Sequence, residues 1–293
     1  MGIKQNQAYL VFTLFNTIFL IFLSVITVYP LLHVFFASVS NAYYVVQHQG
    51  IMLYPIGFHF AAYKMVFQNP MIAKGYKNTL IYMTLGTIIN IILTSLTAYV
   101  LSRKNLMLKN QLMLFAVFTM FFSGGIIPNY LIVRNLGMIN KIWALVLPTA
   151  MSTFNMIIMR TAFMAIPDSL EESARIDGAN DFIILFRIIL PLSKAVLSVI
   201  ILFYAVSHWN AWFHASIYLR NREMYPLQVI LREILLANNT DTMLTGVHSA
   251  DKGPVGEIVK YAAIIVATLP ILLLYPFLQR FFEKGVVIGS VKG

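Results

Sequence analysis

The chain has 293 residues, 59% of them hydrophobic and 11% charged, with a mean hydropathy of +0.77 and a formal net charge of +10. Soluble domains carry about 25% charged residues, so this composition excludes a single water-surrounded core and requires lipid as the solvent for much of the chain. Cysteine is absent, which excludes disulfides and thiolate chemistry, and no run of five basic residues exists, which excludes a nucleic-acid patch and leaves the positive charge to interfacial loops.

A membrane-crossing helix needs about 20 mostly apolar residues. The first such run, 9–37, is too long for the apolar region of a signal peptide and reads as a retained span. Five more follow at 76–101, 111–133, 142–166, 192–218 and 258–282, so residues 1–293 read as one all-α transmembrane domain of six helices. Ser123-Gly124-Gly125 with Pro128 lies in the third run and Pro148 in the fourth. Small residues at these places read as helix-packing contacts, with a break around a cavity as the alternative. An even span count puts both termini on one side. Lys and Arg divide almost equally between the two faces, 11 against 10, so charge does not set the orientation.

The loop 167–191 concentrates chemistry. It holds Asp168, Glu171, Glu172, Asp177 and Asp181, five of the eleven acidic residues. Asp168 with Glu171 three residues on predicts a capped helix start, and Gly178 predicts a helix end with φ > 0. Asn180 or Asp181 is expected to cap a second short helix that presents Phe182, Leu185, Phe186 and Ile189 on one face as far as Pro191. The result is a stiff knob on the membrane, with an interfacial elbow as the alternative on physical grounds.

Farther on, Tyr204, His208 and Trp212 are spaced for one face of the fifth run, with Ser207, Trp209 and Asn210 beside them. Aromatic rings with polar edges suit sugars, although Trp209 and Trp212 also fit an interfacial belt. The loop 219–257 is the longest polar stretch and carries Arg220, Arg222, Glu223, Arg232, Glu233 and Asn238-Asn239-Thr240-Asp241. No phosphate-binding glycine loop exists, because Gly-Lys never occurs. No histidine spacing suggests a metal.

Glu172-Ser173-Ala174, Gly178, Ile188, Leu190 and Pro191 together resemble the EAA loop of bacterial ATP-binding-cassette importer permeases, with Ser173 in place of the usual middle alanine. The string Glu171–Ala179 is similar to the carbohydrate-uptake branch, the maltose-type inner permeases. So are Tyr99-Val100-Leu101-Ser102-Arg103, the Trp209-Asn210 pair and the ending Gly285–Gly293. The resemblance implies a six-helix type I importer permease of the bacterial cell membrane with both termini cytoplasmic. It implies a second homologous permease, two ATP-binding subunits that use ATP and Mg, a solute-binding protein received by 219–257, and a carbohydrate substrate. This chain itself is expected to bind no cofactor and to catalyse nothing. Glu171, Glu172, Ala174, Arg175, Asp177, Gly178 and Ala179 would form the ATPase-coupling surface; Tyr204, Ser207, His208, Trp209, Asn210 and Trp212 would line the pathway. An ion-coupled transporter is the alternative, but it would need intramembrane carboxylates that the runs do not clearly offer.

Overall fold

The computed structural model describes residues 7–48, 50–236 and 252–290, with side chains over 9–48, 50–236 and 252–273. The described residues are helical with connecting turns and hold no strand. They divide into two compact units, Met1–Pro70 with Leu231–Leu269, and Met71–Ile230 with Pro270–Gly293.

The first unit is led by α1 (Gln7–Ser38), whose large apolar side chains from Tyr9 to Phe35 are exposed, as expected of a helix solvated by lipid or by partner helices. Its hydroxyls do not stay free in that environment. Thr13, Ser24 and Thr27 each donate to the carbonyl four residues back, at 2.7–2.9 Å. Two short helices, α2 (Ala42–Gln47) and α3 (Ala61–Gln68), follow. The connecting segment folds back on the end of α1, where Tyr29 accepts from the Met52 N–H at 2.9 Å and Ser38 meets Tyr63 at 2.7 Å.

The second unit is organised on α4 (Pro70–Ser102). Gly75, Thr79, Tyr82, Gly86, Asn90, Thr94 and Ala98 recur every three or four residues and are all buried, a stripe of small and polar residues along one face. Such stripes let helices approach closely in lipid, where apolar burial alone supplies no attraction. A side chain at Gly75 would meet Ile230 Cδ1 at 2.5 Å and the Leu227 backbone at 3.1 Å.

The third, fourth and fifth apolar runs are not continuous helices. The third divides into α5 (Lys109–Phe121) and α6 (Ile126–Asn135), bent by 111° at Gly125, which has φ +82°. The fourth divides at Pro148 into α7 (Trp143–Val146) and α8 (Thr153–Met164). A 12-residue helix spans about 18 Å, short of a hydrocarbon core of about 30 Å. Ser123-Gly124-Gly125 and Pro148 are therefore breaks, not packing contacts: glycine at φ > 0 leaves the helical region, and proline cannot donate to the turn before it. Among the described residues, and by length and composition alone, three helices are long and apolar enough to cross a membrane, or up to five segments if each bent pair is one span.

In the loop 167–191, α9 (Asp168–Ile176), α10 (Asp181–Ile184), a π turn at Leu185–Ile189 and α11 (Leu190–Leu192) lead into α12 (Lys194–Trp209), bent by 90° at Ser193. The fifth run ends in a further break before α13 (Phe213–Tyr218). The polar stretch 219–257 is partly helical, with a 3₁₀ turn at Arg222–Met224 and α14 (Leu227–Leu236). Asn238-Asn239-Thr240-Asp241 lies outside the described residues. The last helix, α15 (Lys252–Ser290), starts within the predicted loop and carries the backbone through most of the glycine-bearing tail.

Candidate functional site

The loop helix α9 ends as its glycine predicts. Gly178 has φ +79°, its N–H donates to Arg175 O at 3.0 Å, and the Ala179 N–H donates to Ala174 O at 2.9 Å. These two bonds make the Schellman closure, which ties off the last carbonyls. No atom lies within 4 Å of a Cβ built on Gly178, so the conformation demands glycine and the space does not. Asn180 then caps α10 by accepting from the Ile183 N–H at 2.9 Å.

The start of α9 differs from the expected capping box. Pro167 occupies the cap position with no side-chain bond, and Asp168 is the first helical residue. Its carboxylate is drawn to Lys104, and the pair holds Asp168 below the ordinary carboxylate range while raising Lys104. Glu171 is likewise committed elsewhere, to Arg103 and, at 2.8 Å, to Arg175. Charged partners from a neighbouring segment outcompete a backbone N–H for these carboxylates.

Arg103 is central to this end of the unit. It lies 4.5 Å from the Tyr99 ring centroid, donates to Ser102 Oγ at 2.9 Å and pairs with Glu171. Partial burial lowers its pKa from the usual guanidinium value. Arg175 also reaches Asp181, whose carboxylate accepts from the Tyr99 hydroxyl at 3.2 Å. The Tyr99–Arg103 segment and the loop motif, some seventy residues apart in sequence, are thus one ion-paired assembly. Lys109 and Arg160 fix the same corner by donating to Arg103 O at 2.9 Å and Leu101 O at 2.9 Å.

Of the seven residues predicted to face an ATPase, Glu171 and Arg175 are engaged within the chain, and Ala174 is buried in the unit's own core with Phe163, Ile184 and Leu185. Glu172, Asp177 and Gly178 are exposed, Ala179 is half-buried, and Leu170 and Ile176 join the free surface at 43% and 86% exposure. The predicted apolar face of the second helix is also corrected. Ile184, Leu185 and Ile189 are buried, whereas Phe182 and Phe186 are exposed. Ile184, Leu185 and Ile189 share one core with Ala174, Phe163 and Met159, which leaves Phe182 and Phe186 on the flanks facing outward.

A second constellation joins the middle of α4 to the C-terminal turns of α12. His208 Nε2 is 2.7 Å from Asn90 Oδ1, and Asn90 Nδ2 donates to Thr149 O at 2.6 Å. Because the Asn90 amide donates to that carbonyl, its oxygen faces His208, and the imidazole donates from Nε2. One turn along, the Tyr204 hydroxyl accepts from the Ser152 N–H at 3.0 Å and shares a hydrogen bond with Thr94 Oγ1 at 2.7 Å. The two clamps satisfy the backbone freed by the break at 147–152, which lipid could not do. Gly86 makes room: a Cβ there would lie 2.4 Å from His208 Nε2.

Tyr204 and His208 are therefore buried structural partners, with Trp209 also buried and in edge contact with Tyr76 at 6.2 Å. Ser207 and Asn210 are exposed, and Trp212 lies past the end of α12, out of register with the other two rings. Asn90, Thr94 and Gly86 were not singled out from sequence. Their signal was a polar residue repeated at i, i+4 inside an apolar run.

An all-helical unit with a charged, ion-paired external knob and polar-clamped broken spans is the architecture of a membrane permease. The chain is 42% identical over 275 residues, 94% of its length and 96% of the relative's, to the polygalacturonan/rhamnogalacturonan transport system permease protein YtcP of Bacillus subtilis (strain 168). It is 40% identical to protein LplC of the same organism over 99% of this chain and 97% of that one. A crystal structure of a bacterial ABC transporter involved in the import of the acidic polysaccharide alginate matches with a TM-score of 0.87 at 31% identity, covering 96% of this chain and 100% of that one. No protein-family model matches. The chain belongs to the permease family of bacterial carbohydrate ABC importers.

Proposed function

We propose that this chain forms half of the translocation pathway of an ATP-driven importer for acidic, uronate-bearing oligosaccharides. The observation that carries the coupling role is the α9 knob, closed at Gly178 and held by Glu171 to Arg103, so that a push on its exposed face reaches α4 as rigid-body motion. Glu172, Asp177, Leu170 and Ile176 form the surface offered to an ATP-binding subunit, while Glu171, Ala174 and Arg175 hold that surface in place. Two such subunits bind and hydrolyse ATP with Mg; a second homologous permease completes the pathway, and a solute-binding protein docks on the 219–257 side. Both termini then lie in the cytoplasm.

Two kinds of observation support an acidic cargo. The 42%-identical relative is named for polygalacturonan and rhamnogalacturonan transport, and the structural neighbour for alginate import. The six-span reading of the sequence assigns ten Lys and Arg and five Asp and Glu to the side opposite the knob, an excess that would draw anions and that membrane topology does not require. The test is to reconstitute the chain with its second permease, ATPase and binding protein and to offer matched neutral and uronate oligosaccharides. Uronate chains are expected to stimulate ATP hydrolysis, and more strongly at low ionic strength. Stimulation by the neutral sugar alone would remove the acidic assignment; stimulation by neither would remove the carbohydrate assignment.

A further inference from the structure

Three broken segments of the second unit converge, and what lies between them is a cavity of about 430 Å³. Its walls come from α6 after the Gly125 bend, from the break at Leu147–Thr149, and from α13 after the break that ends α12. This is the end of the unit remote from α9, because α6 and α13 end their spans and α7 begins one on that side. We propose that this cavity is a subsite for one sugar ring, through which this subunit touches the transported carbohydrate. The proposal rests on the carbohydrate-import reading above and adds a location and a mode of recognition.

The lining has the chemistry that a pyranose needs. Aliphatic walls from Ile132, Val133 and Leu147 suit ring C–H faces. His214 lies parallel to Tyr218 at 5.8 Å and 6°, and Tyr130 stacks on Tyr218 at 6.2 Å, so the aromatic wall is braced. The Asn129 side chain lines the space and, unlike Asn90, makes no hydrogen bond to another described residue; its two donors and one acceptor match vicinal hydroxyls. The volume falls in the ligand range of about 300–1,000 Å³. A cavity of similar size beside α9 offers much less, because Arg103, Arg175 and Asp181 in its wall are already paired with one another or with Glu171.

Among the described residues, no Lys, Arg, Asp or Glu lines the 430 Å³ cavity. It therefore reads ring and hydroxyls and leaves a carboxylate to water or to other parts of the assembly. Discrimination between acidic and neutral sugars is not made here.

The chain's lack of cysteine gives a direct test. Asn129→Cys supplies this subunit with a single thiol at an exposed position, and maleimide labelling is read on this subunit after electrophoretic separation from its partners. In the complete complex with binding protein and an ATP analogue, a uronate oligosaccharide at ten times its half-saturating concentration is expected to slow labelling by about tenfold. Labelling at the same rate with and without sugar, in a complex whose ATPase the sugar stimulates, would overturn the subsite and leave the importer reading standing. That outcome would point to lipid or a partner helix in the cavity. In parallel, Asn129→Leu and His214→Phe are expected to raise the KM for sugar-stimulated ATP hydrolysis by about three- to tenfold. An unchanged KM in both variants would equally defeat the proposal.

Discussion

At the α9 end of the second unit, the charges that orient the loop are answered inside the chain: Asp168 by Lys104, Glu171 by Arg103 and Arg175, Asp181 by Arg175 and Tyr99. At the opposite end, Asn129 and the edge of His214 face a cavity without such answers. The difference is one of mechanical against chemical use of polar groups. A part that transmits force must not rearrange under load, so its side chains are satisfied internally. A part that receives a ligand must keep hydrogen-bonding capacity in reserve. Between the two, the Asn90–His208 and Thr94–Tyr204 clamps tie α4 to α12 and to the break at 147–152.

The largest expected effect comes from striking the middle of this arrangement. Gly86→Leu would drive side-chain atoms into His208 and separate it from Asn90. Overpacking together with an unpaired buried group is expected to cost about 3 kcal/mol or more, read as a lower unfolding midpoint in detergent. An unchanged midpoint would mean that the clamp does not hold the unit together. A smaller and more selective effect is expected at the loop. Gly178→Val places a β-branched residue at φ +79° and should strain the closure of α9 by about 1–2 kcal/mol. Sugar uptake per ATP should fall while membrane insertion persists; normal uptake would refute the coupling role of this turn.

The smallest effect is expected from Lys104→Ala, because the pair with Asp168 is solvent-exposed. Since Lys104 holds the Asp168 carboxyl below its ordinary range, any stability from the pair is present above that range and is lost as pH falls through the lowered value. Between about pH 6 and 8 the carboxylate stays ionised whether the chain is folded or not. Wild type and variant should therefore differ by a constant, barely resolvable amount there. A difference that grew across that interval would assign the titration to another group.

The closing turn of the loop was legible in sequence because its determinants are local. Gly178 and Asn180 each act on backbone within three or four residues, and both do what their residue types predict. The cap expected of Asp168 failed because Lys104, 64 residues earlier, competes for the carboxylate. The clamps failed to register for the same reason: Asn90 and His208 are 118 residues apart, and nothing in either neighbourhood names the other. Apolar runs gave the positions of the membrane segments but not their continuity, since hydropathy does not distinguish a helix that crosses from one that bends at Gly125 or stops at Pro148. Reading Tyr204, His208 and Trp212 as a single face assumed a helix that in fact ends at Trp209.

The polar stripe on α4 has a consequence for biosynthesis. Thr79, Asn90, Thr94 and Ser95 are buried in the finished unit, and Asn90 and Thr94 take their partners from Thr149, Tyr204 and His208. A nascent chain synthesised only as far as α4 has none of those partners. For as long as α7 to α12 remain unmade, this helix must keep its stripe towards the water-filled insertion machinery, towards α1, or towards another subunit. Its stable packing in lipid is therefore expected to wait until roughly two thirds of the protein has been synthesised, when α12 supplies Tyr204 and His208.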